Sequence, residues 1–170
     1  MAVGTSVSVE EYLHTSYRPD CDYVDGEVLE RNVGEFEHSG TQTEIGHYLR
    51  ARYPRLRWRV LTEQRVQVRA TRFRIPDVCV LAEDAPREKI IGHPPILCIE
   101  ILSPEDRLVP VTKRLNDYFQ MGVPMCWIID PVARLAWIAT PGLLAEVTDG
   151  ILRSGDRAGD LEMPLAEVLE

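Results

Sequence analysis

Two acids stand where short apolar runs would otherwise hold another aliphatic side chain. One is Asp77 in Arg74-Ile75-Pro76-Asp77-Val78-Cys79-Val80-Leu81, the other Glu100 in Pro95-Ile96-Leu97-Cys98-Ile99-Glu100-Ile101-Leu102-Ser103. Burying a carboxylate without a partner is costly, so acids placed this way require compensation. If the two runs are neighbouring strands, about 4.8 Å apart, both carboxylates reach one point. Hard divalent cations are held in this manner, by one or two carboxylates with waters and phosphate oxygens completing the shell. The competing reading is that each acid caps a strand end or pairs with an arginine. Lys113, one of only two lysines, opens the helical stretch after the Glu100 run. Beside a metal-bound carboxylate pair it could orient or deprotonate a water and offset phosphate charge; alone it is a surface lysine.

A second concentration of charge precedes Asp77. Nine arginines (Arg50, Arg52, Arg55, Arg57, Arg59, Arg65, Arg69, Arg72 and Arg74) fall in a stretch that contains a single acid, Glu63. The whole chain carries a net charge of −8 and a pI near 5.1, which argues against a general polyanion-binding surface. A local basic segment can still grip phosphates. The alternative is coding preference, because arginine is the default cation throughout this chain.

The elements that must position these residues are legible in outline. Ser8 followed by Glu11 is a capping box opening a helix through about Tyr17. Asp25-Gly26 between β-prone pieces marks a hairpin. Ile45, Tyr48 and Leu49 recur at helical spacing from Glu37 to Tyr53, and Pro54 stops the run. Residues 57 to 69 alternate, with Trp58, Val60, Val66 and Val68 opposite Arg57, Arg59, Arg65 and Arg69, as half-exposed strands with an arginine face do. The Asp77 and Glu100 runs read as strands covered on both sides, joined by a polar loop over Ala82–Pro94. A helix with Val111, Leu115, Tyr118 and Phe119 ends at Gly122. Strands follow at Met125–Asp130 and Leu135–Ala139, with a hairpin signal at Asp149-Gly150 and a helical turn at the C-terminus. The order predicts one domain, residues 1–170, of mixed α/β class with a central sheet flanked by helices. Four dispersed cysteines without a CxxC pair, no apolar run long enough to cross a bilayer and no targeting segment point to a cytoplasmic protein without membrane attachment.

At these residues the chain resembles a known family. Pro76-Asp77, Glu100 within Ile99-Glu100-Ile101-Leu102-Ser103-Pro104, and Gly122-Val123-Pro124 before Cys126-Trp127-Ile128-Ile129-Asp130-Pro131 look like the small endonucleases of the Uma type. Those belong to the PD-(D/E)XK, restriction-endonuclease-like superfamily. Tyr23–Glu27 and Glu37-His38 extend the likeness over roughly residues 8 to 140. The resemblance implies a restriction-endonuclease-like core with a central mixed sheet, Mg2+ or Mn2+ on Asp77 and Glu100, and phosphodiester hydrolysis. It adds an acid from the first core helix, with Glu37 the first choice and Glu44 the second, and His38 as a ligand or water-binding group. The superfamily's usual lysine position, two residues after the acid, holds Leu102 here, which shifts the role toward Lys113.

Two functions follow as expectations. One is a metal-dependent endonuclease acting on nucleic acid, DNA ahead of RNA, with Arg57, Arg59, Arg65, Arg69, Arg72 and Arg74 holding the backbone. The other is a nuclease-fold module with weak or no catalysis that binds nucleic acid or a protein. Cleaving both strands of a duplex makes a homodimer attractive, with its interface in residues 135 onward.

Overall fold

The computed structural model of the protein describes residues 6–31, 35–54, 58–104, 106 and 108–169. Arg57, with its predicted phosphate contact, lies outside the described residues.

Helix α1 (Val9–His14) starts where Ser8 caps it, the Glu11 N–H donating to Ser8 Oγ at 3.1 Å, and stops three residues short of Tyr17. Strands β1 (Cys21–Val24) and β2 (Glu27–Glu30) form the hairpin that Asp25-Gly26 signals. Both turn residues have positive φ, 50° and 101°, the backbone that a tight two-residue hairpin demands and glycine supplies without strain. Helix α2 (Phe36–Arg52) follows, then β3 (Arg59–Thr62), β4 (Val66–Arg69), β5 (Arg72–Arg74), β6 (Val78–Leu81) and β7 (Leu97–Ile101). Helix α3 (Leu108–Met121) leads to β8 (Cys126–Asp130), β9 (Leu135–Thr140), β10 (Leu143–Glu146), β11 (Ile151–Arg153) and β12 (Glu162–Pro164). Asp149-Gly150 enters β11 rather than turning the β11–β12 hairpin, which closes through residues 154–161.

A six-stranded sheet in the order β10-β9-β8-β7-β6-β3 is the centre of the molecule, and a four-stranded antiparallel sheet runs β2-β1-β5-β4. Within the larger sheet only β7 and β8 are parallel. They are joined through α3, the crossover that a parallel pair requires. Side chains of the central strands alternate between two apolar layers. Val78, Val80, Leu97, Ile99, Ile101, Trp127 and Ile129 pack with Ile45 and Leu49 of α2 and with the C-terminal segment. Cys79, Leu81, Cys98, Cys126 and Ile128 pack with Val111, Leu115 and Tyr118 of α3. This is the helix-flanked mixed sheet expected from the sequence.

The expected arginine face does not form as one surface. Glu63 takes φ of +51° after β3, and the chain leaves the larger sheet there, so β3 edges one sheet and β4 edges the other. Arg59 and Arg69 therefore sit on separate surfaces.

Candidate active site

Strand register brings the two acids together. β6 and β7 are antiparallel with Val78 opposite Ile99 and Cys79 opposite Cys98, so one more step places Asp77 opposite Glu100. By alternation both carboxylates fall on the α3 side of the sheet, the side of Cys79 and Cys98. Both are buried, Asp77 at 2% exposure and Glu100 at 1%. They open onto a cleft of about 220 Å³ lined also by Glu30, Arg31, His38, Ile101, Ser103, Asp106, Pro110 and Arg114.

The two carboxylates are compensated differently. The Ile101 N–H donates to Asp77 Oδ2 at 2.7 Å, and Arg31 Nη2 donates to Oδ1 at 2.5 Å. His38 Nε2 stands 3.4 Å from the same Oδ1. Burial acts to raise the Asp77 carboxyl, but His38, Arg31 and the Ile101 N–H outweigh it and leave it below the ordinary aspartate value. Glu100 takes the Tyr118 hydroxyl on Oε1 at 2.6 Å and the Arg114 guanidinium beside Oε2 at 2.9 Å. Burial nevertheless pushes it up to about 7; Arg114 opposes that rise, and the negative charge of Asp77 adds to it. Burial also acts to lower His38, yet its contact with Asp77 holds the ring above the ordinary histidine value.

Helix phase decides which predicted residues join this cleft. On α3, Val111, Arg114, Leu115 and Tyr118 follow the i, i+3, i+4, i+7 rule of a single face. Arg114 thus looks at Glu100. Lys113, one residue and about 100° away, is exposed and lines a separate groove with Val24, Arg69, Arg72, Arg74, Asn116, Asp117 and Gln120. On α2 the buried line is Thr41, Ile45 and Leu49. His38 shares that side, and Gln42 reaches the backbone carbonyl of Asp77 at 2.8 Å. Glu37 is exposed and faces a different pocket with Phe36, Gly40, Thr41, Pro131 and Leu169. The structure therefore gathers Asp77, Glu100 and His38 and leaves Glu37 and Lys113 outside.

The arginines are largely engaged within the protein. Arg74 is 4% exposed and pairs with Asp22 at 2.9 Å and Asp117 at 2.7 Å. Arg72 bridges Asp25 at 2.5 Å and Asp117 at 2.9 Å. Arg65 lies over the Tyr12 ring, 4.7 Å from its centroid. Arg59 donates to the carbonyls of Glu83 and Ala85, and Arg69 to the Gln120 side-chain oxygen. Among the described residues Arg59 and Arg69 hydrogen-bond neutral groups, with no carboxylate bonded to either.

The donors suit a hard cation. Two carboxylates share one cleft, with Glu30 and Asp106 also lining it, and Mg2+ needs no more than one or two protein carboxylates. Among the described residues no group of three or more His, Cys, Asp or Glu side chains is placed to hold a metal ion, so an ion here would rest on Asp77 and Glu100 with non-protein ligands completing its shell. His38 Nδ1 is buried without a hydrogen-bond partner among the described residues.

Sequence reasoning missed Arg31, Arg114 and Tyr118. The stripe Val111, Leu115, Tyr118 contained the signal for Arg114, since helical phase selects it over its neighbour. Arg31 left no periodic trace, because it follows the last residue of β2.

Among curated proteins none matches the chain. Among solved structures, a putative nuclease belonging to DUF820 from Anabaena variabilis ATCC 29413 superposes with a TM-score of 0.83 at 23% identity, over 95% of this chain and 97% of that one. The shared fold is thus established across nearly the whole length. No helix among the described residues is long and apolar enough to cross a membrane. A family model described as "Uma2: Putative restriction endonuclease" matches residues 9–165, and on that extent of match, the chain belongs to the Uma2 family.

Proposed function

We propose that the protein is an endonuclease that hydrolyses phosphodiester bonds of DNA with the help of Mg2+ or Mn2+. The observation that carries this reading is the facing pair of buried carboxylates, Asp77 and Glu100, opening into a cleft that also holds two guanidinium groups. Asp77 and Glu100 would hold the cation, which supplies Lewis acidity and a more acidic water when bound. The chain's own groups have separable tasks. Arg114 is a fixed cation that does not release its proton, so it offsets phosphate charge and is no base. Its neighbour Lys113 is assigned no part in the cleft. His38, on the cleft wall beside Asp77, hydrogen-bonds a water. Arg59 and Arg69 supply the more distant backbone contacts. The four cysteines are buried and unpaired, in keeping with a reducing cytoplasm.

Nicking of supercoiled plasmid with Mg2+ or Mn2+ tests the assignment. Asp77→Ala and Glu100→Ala should each lower the rate by about 100-fold or more, Arg114→Ala by roughly 100-fold, and Lys113→Ala by less than about threefold. Equal rates in all of these proteins would overturn the site.

A second reading has one observation in its favour: Arg31 and Arg114 already counter both carboxylates, so the cleft is balanced without a metal. Under that reading the protein binds DNA without cutting it, and plasmid would be retarded in gels by a wild type that never nicks it.

A homodimer built on β10 completes the proposal. This strand ends the larger sheet with Leu143 and Leu144 at 61% and 52% exposure, an open edge of the kind proteins normally cover.

A further inference from the structure

Arg31 occupies the place a cation would need. Asp77 Oδ2 already accepts the Ile101 N–H, whereas Oδ1 is the oxygen turned to the cleft-lining Arg31 and His38. It is that oxygen which Arg31 holds at 2.5 Å. Mg2+ sits about 2.1 Å from its oxygens and tolerates no second cation in the same position. Arg31 and the metal therefore compete for Asp77 Oδ1. The Arg31 side chain is 18% exposed and faces the cleft, so release does not require it to cross the core. Once it leaves Asp77, its planar fork matches the two free oxygens of a phosphodiester. Arg114 keeps its own carboxylate, Glu100, on the α3 wall.

Resting on the nuclease reading above, we propose that Arg31 is a substrate-binding residue that exchanges partners. It closes on Asp77 when the cleft has no metal, and when a divalent cation displaces it, it takes the phosphate of the incoming strand. Metal and DNA then promote one another's binding, and by linkage each does so by the same factor.

The exchange predicts opposite effects from one substitution, which a merely structural arginine would not give. Mn2+ binding is read by electron paramagnetic resonance on the full chain. DNA binding is read by fluorescence anisotropy of a short labelled duplex in Ca2+. Arg31→Ala should bind Mn2+ about tenfold more tightly than wild type and the duplex about tenfold more weakly, with Arg31→Lys between the two on both scales. If Arg31→Ala fails to fold by circular dichroism, Arg31→Lys carries the same comparison. Unchanged or weaker Mn2+ binding, or unchanged DNA binding, overturns the exchange while Asp77→Asn still abolishing Mn2+ binding leaves the metal centre standing. Absence of Mn2+ binding in wild type and every variant overturns both.

Discussion

Glu100 carries a clear mark of its environment. Its carboxyl is pushed up to about 7 from an ordinary 4.5. The folded protein therefore holds this proton more tightly than the unfolded chain does. A raised folded value contributes stability that is complete below about pH 4.5 and is lost as pH rises through about 7. At pH 8 the cost is roughly 3 kcal/mol relative to a group without the shift. His38 is also raised and has the same sign, so the informative quantity is a difference between proteins. In EDTA, the Glu100→Gln variant should lose most of the decline in urea midpoint that wild type shows between pH 5 and pH 8. Parallel profiles for the two would remove Glu100 as the source. The acid's strangeness was visible in the sequence, since it interrupts an apolar run. Its partners were not, because Arg114 and Tyr118 reach it only through the fold of the following helix.

At the level of elements, α2 was read from Ile45, Tyr48, Leu49 and the stop at Pro54; the sequence showed α3 well through its apolar stripe and β6 and β7 through their continuous apolar runs, because both patterns are local. It misread the segment from β3 to β5 as one arginine-faced surface, because sheet membership depends on long-range pairing that a local pattern does not encode. What those strands do with their arginines is now specific. Arg74 joins β5 to Asp22 on β1 and Asp117 on α3, and Asp22 also accepts the Ile75 N–H at 3.0 Å. Removing one member of a buried ion network leaves charges stranded, at a cost of about 3–5 kcal/mol. Arg74→Met should lower stability by that amount in urea titration, whereas Arg69→Ala, at an exposed position, should stay within about 0.5 kcal/mol. A small effect at Arg74 would show that the strand is not held by this network. Phase also sets Glu37 and Lys113 apart from the cleft: each is one residue from a side chain that does reach it.

For the whole molecule, the edges of the larger sheet bear on assembly. The larger sheet ends in β3 on one side and in β10 on the other, and all four β10 residues are exposed. Antiparallel pairing of two β10 strands would cover Leu143 and Leu144 and place one cleft on each protomer. Light scattering at micromolar concentration should give a dimer for wild type and a monomer for the Leu143→Glu, Leu144→Lys double variant, with cleavage shifting from double-strand breaks toward single nicks. A dimer that survives both substitutions would place the interface elsewhere.

The alignment of Asp77 with Glu100 is set by ladder pairing between β6 and β7, and the segment that joins the two strands takes no part in it. Residues 86–89 of that segment are all exposed, while Ala85 and Ile91 anchor its two shoulders through Arg59 and through the Arg65 carbonyl and Gln67 N–H. The distance between the carboxylates is therefore independent of how much chain lies between the anchors. Evolution or an engineer can lengthen the molecule there, adding a finger that reads sequence, without retuning the chemistry below it.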